Sequence, residues 1–182
     1  MSKTVKIEID PFDPSSIDKA IKQVDDFKKK TEKQLDELCH KLVDYGVWRA
    51  QVLYNNALYA GTNDVKVWLE ERGDHTVAVV ARGRAVMFIE FGTGVMYPDI
   101  SWEQRANLDA DLAERGHYGY HLGIMGGGWR YEGDPGNLGE VITDGPYAGM
   151  VHTYGNPAAH AMWQSREMMI RMIKSYAEEV FK

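Results

Sequence analysis

The longest periodic segment of the chain is residues 15–45, SSIDKAIKQVDDFKKKTEKQLDELCHKLVDY. Its apolar side chains recur every three or four residues, which places them on one face of an α-helix. The members of this stripe are Ile17, Ile21, Val24, Phe27, Thr31, Leu35, Leu38, Leu42 and Tyr45. A helix of this length spans roughly 45 Å. It either crosses a sheet and turns its lysine-rich face to solvent, or forms an arm that packs against a neighbouring subunit.

Shorter elements are expected on both sides of this helix. Before it, Val5, Ile7 and Ile9 alternate with polar residues, which predicts a short strand with one exposed face. After it, Gly46 is expected to interrupt the helix, which then resumes from Val47 to Tyr59.

Period-two alternation then predicts an antiparallel hairpin, with strands from Val65 to Glu70 and from Thr76 to Ala81. The apolar run from Val86 to Phe91 is expected to be a third strand, with Glu90 pointing to solvent from the sheet edge. A closing helix is predicted from Ala158 to Phe181.

Residues 95–150 differ in composition from the rest of the chain. Eleven of the 18 glycines lie between Gly116 and Gly149. Residues 85–150 carry ten acidic side chains and three arginines, a net charge of -7, whereas the remaining residues sum to +1. A capping box at Ser101 predicts a short helix within an otherwise irregular loop that is rich in glycine and aromatic residues.

These elements predict one α+β domain over residues 1–182, with an antiparallel sheet packed against a long N-terminal helix and a C-terminal helix and with a long glycine-rich loop insertion. Its successive parts are an N-terminal strand and long helix (1–62), a β-hairpin and third strand (63–94), the acidic loop excursion with its short helix (95–150), and the C-terminal helix (151–182).

Composition excludes several classes of protein. The formal net charge is -6, and a free-standing nucleic-acid binder would show a basic excess. A single cysteine, Cys39, cannot form an intramolecular disulfide, which favours a reducing compartment. No apolar stretch approaches the roughly 20 residues of a membrane helix, and the N-terminus does not resemble a signal peptide. A soluble chain that is cytosolic at first and makes no membrane contact is expected.

Enzymatic motifs are weak in this sequence. His117 and His121, with His152, are the best candidates for a metal site, and would make the chain a metal-dependent hydrolase. However, the glycines around the first two argue against the helix that would bring them together. The glycines at 126–128 are followed by Trp129-Arg130 rather than by the lysine and hydroxyl residue of a phosphate loop. A non-enzymatic protein without a cofactor is therefore expected.

Two short motifs and the order of the elements around them resemble a known family. The first motif is Phe88-Ile89-Glu90-Phe91-Gly92-Thr93-Gly94, and the second is Gly155-Asn156-Pro157-Ala158. A long helix and a hairpin precede the first motif, and a terminal helix follows the second. This arrangement is similar to that of the tail-component proteins of long-tailed bacteriophages, the gene-product-ten-like neck and tail-completion group.

The resemblance implies a virion protein of the neck or upper tail that is assembled in the host bacterial cytoplasm. It implies a homo-oligomeric ring, of six or twelve copies, that contacts neighbouring neck, head-completion and tail proteins while DNA passes through. An adaptor that acts in assembly but is absent from the finished particle is an alternative within the same setting. An acidic loop that faces a DNA channel would repel phosphate.

Large side chains are the candidates for contacts with neighbouring subunits. Aromatic residues dominate the energetics of interfaces, and methionine adapts to irregular surfaces. The candidates are Trp102, Trp129, Tyr131, Tyr147 and Met162.

Overall fold

The structure is a computed structural model that describes residues 6–73, 75–94 and 129–182. It confirms the α+β class, with a long N-terminal helix, a C-terminal helix and small antiparallel sheets. The elements in chain order are α1 (Ser15–Asn55), β1 (Lys66–Glu71), β2 (Val77–Arg82), α2 (Val86–Phe91), β3 (Thr93–Gly94), β4 (Trp129–Tyr131), β5 (Glu140–Val141), β6 (Val151–Thr153), β7 (Gly155–Asn156) and α3 (Ala161–Val180).

The predicted interruption at Gly46 is wrong, because α1 runs through it as one helix of 41 residues. Gly46 lies where α3 crosses α1. A Cβ at this position would overlap Met169 Sδ and would come within 2.9 Å of Val79 Cγ2. The Ser165 hydroxyl also donates a hydrogen bond to the Gly46 carbonyl, at 2.6 Å. The glycine therefore permits close helix packing rather than breaking the helix.

The predicted hairpin is confirmed, and β1 pairs with β2 from Lys66 opposite Arg82 to Glu71 opposite Val77. The remaining strands do not extend this sheet. Among the described residues, β3 pairs with β7, and β6 lies between β4 and β5, so the strands form three small antiparallel sheets rather than one.

Two of the predicted strands are wrong. Residues 6–10 have no strand structure and are exposed, because no described segment pairs with them. Residues 86–91 form helix α2 instead of a third strand. A short apolar run fits either a strand or a buried helical turn by periodicity alone. Here Asp64 accepts hydrogen bonds from the Arg84 and Ala85 N–H groups just before the helix begins.

The main core lies between the C-terminal end of α1, the hairpin, α2 and the start of α3. Its buried side chains are Tyr54, Ala57, Val65, Ala85, Ile89 and Ala161. α3 runs antiparallel to α1, so that Ser165 contacts Gly46 and Val180 accepts a hydrogen bond from Gln34. No helix in the described part of the chain is both long enough and apolar enough to span a membrane.

The packing at Gly46 generates a stability prediction. We expect Gly46→Val to lower the free energy of unfolding by about 2 kcal/mol, measured by urea denaturation, because the added methyl groups overlap Met169 and Val79. In a Met169→Ala background the same substitution should cost less by about 1 kcal/mol, since the main obstacle has been removed. An equal cost in both backgrounds would show that Met169 does not limit the space at Gly46.

Candidate functional site

The two sequence motifs meet in one place, which we call the joint and define as residues 89–94 together with residues 151–163. β3 pairs with β7, with Thr93 opposite Asn156 and Gly94 opposite Gly155. β4 pairs with the neighbouring strand β6, with Trp129 opposite Thr153. Gly94 and Trp129 therefore lie beside the same short stretch of chain, residues 151–156.

Backbone hydrogen bonds fasten α2 to the segment that leads into α3. The Ala159 and His160 N–H groups donate to the Ile89 and Glu90 carbonyls, at 2.8 and 3.1 Å. The Asn156 side chain is buried, and its amide donates to the Phe88 carbonyl at 2.9 Å. These bonds satisfy the polar groups at the end of α2, which would otherwise be left without helical partners.

Gly92 is the residue of the first motif that the geometry requires most strictly. Its φ of 74° and ψ of 169° belong to a region that is open essentially to glycine alone. A Cβ there would also lie 2.8 Å from the Ala158 nitrogen and 2.9 Å from the Asn156 carbonyl oxygen. Both atoms belong to the backbone of the second motif, so the two motifs approach each other too closely for any side chain at position 92.

Glu90 is buried, which corrects the expectation that it points to solvent. The carboxylate accepts hydrogen bonds from the Tyr54 hydroxyl at 3.0 Å and from the Met162 and Trp163 N–H groups at 3.0 and 3.3 Å. His160, at the start of α3, supplies no capping side chain. Glu90 therefore caps α3 from another helix, and its negative charge lies at the positive end of the α3 dipole.

The buried carboxylate of Glu90 affects the ionisation of Tyr54. The tyrosine is fully buried. Burial, followed by the negative charge of Glu90, raises the pKa of Tyr54 well above its usual value near 10. Tyr54 thus stays protonated and remains a hydrogen-bond donor to Glu90 over the whole neutral range. This geometry gives the pair a structural role, since the carboxylate is occupied by protein donors.

A second set of contacts fastens residues 134–137 to the loop that follows α1. The Asn137 side chain accepts from the Tyr59 N–H at 2.7 Å and donates to the Ala57 carbonyl at 3.0 Å. Asp134 accepts from the Thr62 hydroxyl at 2.9 Å. Hydrogen bonds from the Gly136 N–H and then from Thr62 lower the pKa of Asp134. The segment that returns from residue 128 is therefore held to the body of the molecule.

The predicted interface residues have different environments. Tyr147 is exposed, and the Arg130 guanidinium lies 4.5 Å from its ring centre. Tyr131 is half-buried and donates to the Asp134 carbonyl at 2.8 Å. Met162 packs against the main core. Trp129 lies in β4, and Trp102 lies outside the described residues. The interface role of these residues remains a prediction.

Of the three candidate metal-binding histidines, only His152 lies within the described residues. His117 and His121 lie outside them, and His152 stacks edge-on against Tyr154 with ring centres 4.7 Å apart. Over residues 6–73, 75–94 and 129–182, no three histidine, cysteine, aspartate or glutamate side chains are placed to hold a metal ion.

The sequence analysis did not identify the hydrogen-bond partners of Glu90. It also did not identify the hydrogen bonds of Asn137 to the loop that follows α1. An acidic residue inside the apolar run of residues 86–91 is a signal of a buried, paired carboxylate, since charges are buried only when they are paired. The distant donors Tyr54 and Met162 carry no such signal in the sequence. Comparison of the chain with protein-family models, with curated proteins and with solved structures finds no match.

The close approach at Gly92 can be separated from the strain of its φ angle. Gly73 has a φ of 75°, similar to that of Gly92, but a Cβ there would meet no atom within 4 Å. We expect Gly73→Ala to cost about 1 kcal/mol of unfolding free energy and Gly92→Ala at least about 2 kcal/mol more, because only the second also overlaps backbone atoms. Equal losses in thermal or urea denaturation would contradict the close contact.

The buried Tyr54 generates an alkaline stability prediction. Above pH 10 the tyrosine ionises in the unfolded chain but not in the folded one, so the free energy of unfolding falls as the pH rises. Between pH 10.5 and 11.5 we expect the wild type to lose about 1.4 kcal/mol more than Tyr54→Phe. Tyr147→Phe, which removes the hydroxyl group of an exposed tyrosine, is the matched control variant. Parallel curves for wild type and Tyr54→Phe would argue against the raised pKa.

Proposed function

We propose that the chain is a structural, non-enzymatic protein of a bacteriophage neck or upper tail, which forms a homo-oligomeric ring through which DNA passes. The observation that carries this proposal is that the two motifs of the resemblance contact each other. Gly94 and Gly155 lie 61 positions apart in the sequence, yet they are opposite each other in the β3–β7 pair. This contact supports the interpretation of the two motifs as one structural unit.

The surface that follows the joint supports the same role. Glu132, Glu140 and Asp144 are exposed on residues 129–150, and Arg130 is the only basic residue among them. A surface of this charge repels nucleic-acid phosphates and so lets DNA pass without sticking. This acidic surface would line a channel and would not recognise a particular DNA sequence.

Contacts with neighbouring subunits need exposed anchors, and Tyr147 with Arg130 provides one. The guanidinium lies over the ring, so that the two side chains contact each other without a partner. Tyrosine and arginine are enriched among the residues that contribute most to binding. Pre-ordering reduces the entropy that such side chains lose when an interface forms.

The test is to interrupt the gene in its parent phage or prophage, induce lysis and image the particles by electron microscopy. We expect filled heads beside separate or malformed tails, because a missing neck or tail-completion ring leaves the two halves unable to join. Supplying the wild-type gene in trans should restore joined particles. A copy that is truncated after residue 94 is the matched control and should not restore them.

Three outcomes would contradict the proposal. Joined and infectious particles in the interrupted strain would remove the structural role. Absence of the protein from purified wild-type particles, measured by mass spectrometry, would indicate an assembly adaptor instead. Stoichiometric zinc, iron or manganese in protein purified without a histidine tag would favour the metal-dependent hydrolase built on His117, His121 and His152.

A further inference from the structure

The turn end of the β1–β2 hairpin lies against the middle of α1, where two histidines contact two carboxylates. His75, in the turn, places Nδ1 2.5 Å from a carboxylate oxygen of Asp36. His40, one helical turn after Asp36, places Nε2 3.3 Å from a carboxylate oxygen of Glu71, the last residue of β1. One histidine belongs to the hairpin and the other to α1, and each faces a carboxylate on the other element. We call these four residues the latch.

The surroundings of His40 require a proton on both of its ring nitrogens. Nε2 faces the Glu71 carboxylate, and Nδ1 lies 2.8 Å from the backbone carbonyl oxygen of Asp36. A carbonyl and an ionised carboxylate only accept hydrogen bonds. A neutral imidazole has one N–H and can donate to only one of them, whereas an imidazolium donates to both. The hydrogen bond to the Asp36 carbonyl, followed by the one to Glu71, raises the pKa of His40 above its usual value.

The acidic side chains around the latch favour the charged form of the histidines. Asp44, one helical turn after His40, contributes a third negative charge that also raises the pKa of His40. Asp36, Asp44 and Glu71 together carry -3, and two protonated histidines reduce this net charge to -1. Asp74, in the hairpin turn, lies outside the described residues. Protonation of the histidines therefore relieves repulsion among carboxylates that the contact brings together.

The basic side chains near the latch keep their charge at neutral pH. Lys41 lies 2.5 Å from Glu179 of α3, and Arg72 of the hairpin lies 3.0 Å from Glu70. Lys33, one turn before Asp36 on α1, is exposed. Ammonium, guanidinium and carboxylate groups ionise far from pH 7, whereas imidazole ionises close to it. The charge at this contact therefore changes near neutral pH through the histidines.

The backbone of His75 supports a specific role for its side chain. Its φ of 59° lies in the left-handed region, which glycine adopts at lower cost than a residue with a side chain. Gly73, two residues earlier in the same turn, has a φ of 75°. The side chain at position 75 reaches across to Asp36 on α1. A disfavoured backbone conformation that places a side chain in a defined contact is a feature of functional positions.

The other end of the hairpin is held by groups that do not titrate. Val65 is buried in the main core, and Val67 packs against it. The Gln51 side chain accepts from the Val67 N–H at 2.8 Å and donates to the Val65 carbonyl at 3.2 Å. A change of pH near neutrality therefore acts on the turn end of the hairpin and leaves its base attached to α1.

We propose that the latch is a pH-sensitive switch, in which protonated His40 and His75 fasten the hairpin turn to α1 and their deprotonation releases it. When His40 loses a proton, it can keep only one of its two hydrogen bonds, and the neighbouring carboxylates repel each other. Because the pKa of His40 is raised in the folded chain, the contact is fully stabilising below about pH 6.5 and weakens as the pH rises above that value. This switch is independent of the proposed role in a phage particle.

Titration of the histidines of the intact chain by NMR tests the ionisation. We expect His40 to titrate above about pH 6.5, and Glu71→Gln to lower its pKa by at least about 0.5, because the substitution removes a charge that stabilises the imidazolium. Glu70→Gln is the matched control, since it removes the same charge one residue away from a carboxylate that contacts Arg72. It should lower the pKa of His40 less than half as much. Titration at or below about pH 6.5, or an equal response to both variants, would overturn the proposal.

Hydrogen exchange tests the release of the turn. The Arg72 N–H donates to the Thr76 carbonyl at 2.9 Å beside the latch, whereas the Val67 N–H donates to Gln51 at the base of the hairpin. Between about pH 5.5 and about pH 8 we expect the protection factor of the Arg72 amide to fall at least about threefold, because the unfastened end of the hairpin opens more often. The protection factor of the Val67 amide should fall less than about twofold.

A variant with both His40→Gln and His75→Gln tests whether the latch causes this pH dependence. Both histidines are partly exposed, so the chain should remain folded, which circular dichroism checks. We expect the Arg72 amide of this variant to have the same protection factor at both pH values. His152→Gln, which removes a histidine of β6, is the matched control variant. A double variant that keeps the pH dependence of the wild type, or a wild type without any, would contradict the switch.

Discussion

The Glu90 carboxylate lies where the end of α1, the end of α2 and the beginning of α3 come together, and it accepts hydrogen bonds from α1 and α3. A buried charge is tolerated only when its hydrogen-bonding capacity is met, and removing one partner of such a group is costly. The position of each helix is therefore constrained by the others. Because Tyr54, Ile89 and Ala161 belong to the core beside this carboxylate, the same polar contact aligns the apolar packing.

The joint follows from this constraint. Once Glu90 holds the start of α3, the chain between β6 and α3 passes directly over the end of α2, at the distance where only glycine fits at position 92. The pairs β3–β7 and β4–β6 then form on consecutive residues of that chain. Strands β3 and β4 are thus anchored within a few residues of each other along the same stretch of chain.

Helix α1 combines two environments in one continuous element. Its second half packs against α3 and the hairpin, with Gly46 allowing the closest approach. Its first half has the same spacing of apolar residues, but Ile17, Ile21, Val24 and Phe27 are 41–56% exposed there. The apolar stripe is therefore largely covered along the second half of α1 and largely exposed to solvent along the first half.

The sequence alone was sufficient for the two long helices and the hairpin. A period of 3.6 identified α1 and α3, a period of two identified the hairpin, and their order established the α+β class. The resemblance described above drew attention to the residues of the two motifs, including Glu90 and Gly92. These features depend on residues close together in the chain, whose spacing directly sets which face they occupy.

Only the tertiary structure decided the features that depend on distant residues. The run from Val86 to Phe91 became a helix, Gly46 stayed within α1, and Glu90 was buried, because each outcome is set by partners that lie dozens of residues away. The division of α1 into a half that packs against α3 and a half that extends past it likewise depends on where α3 ends. The sequence pattern determines that a helix has an apolar face, and the tertiary structure determines what covers that face, because burial depends on contacts between elements that no local spacing encodes.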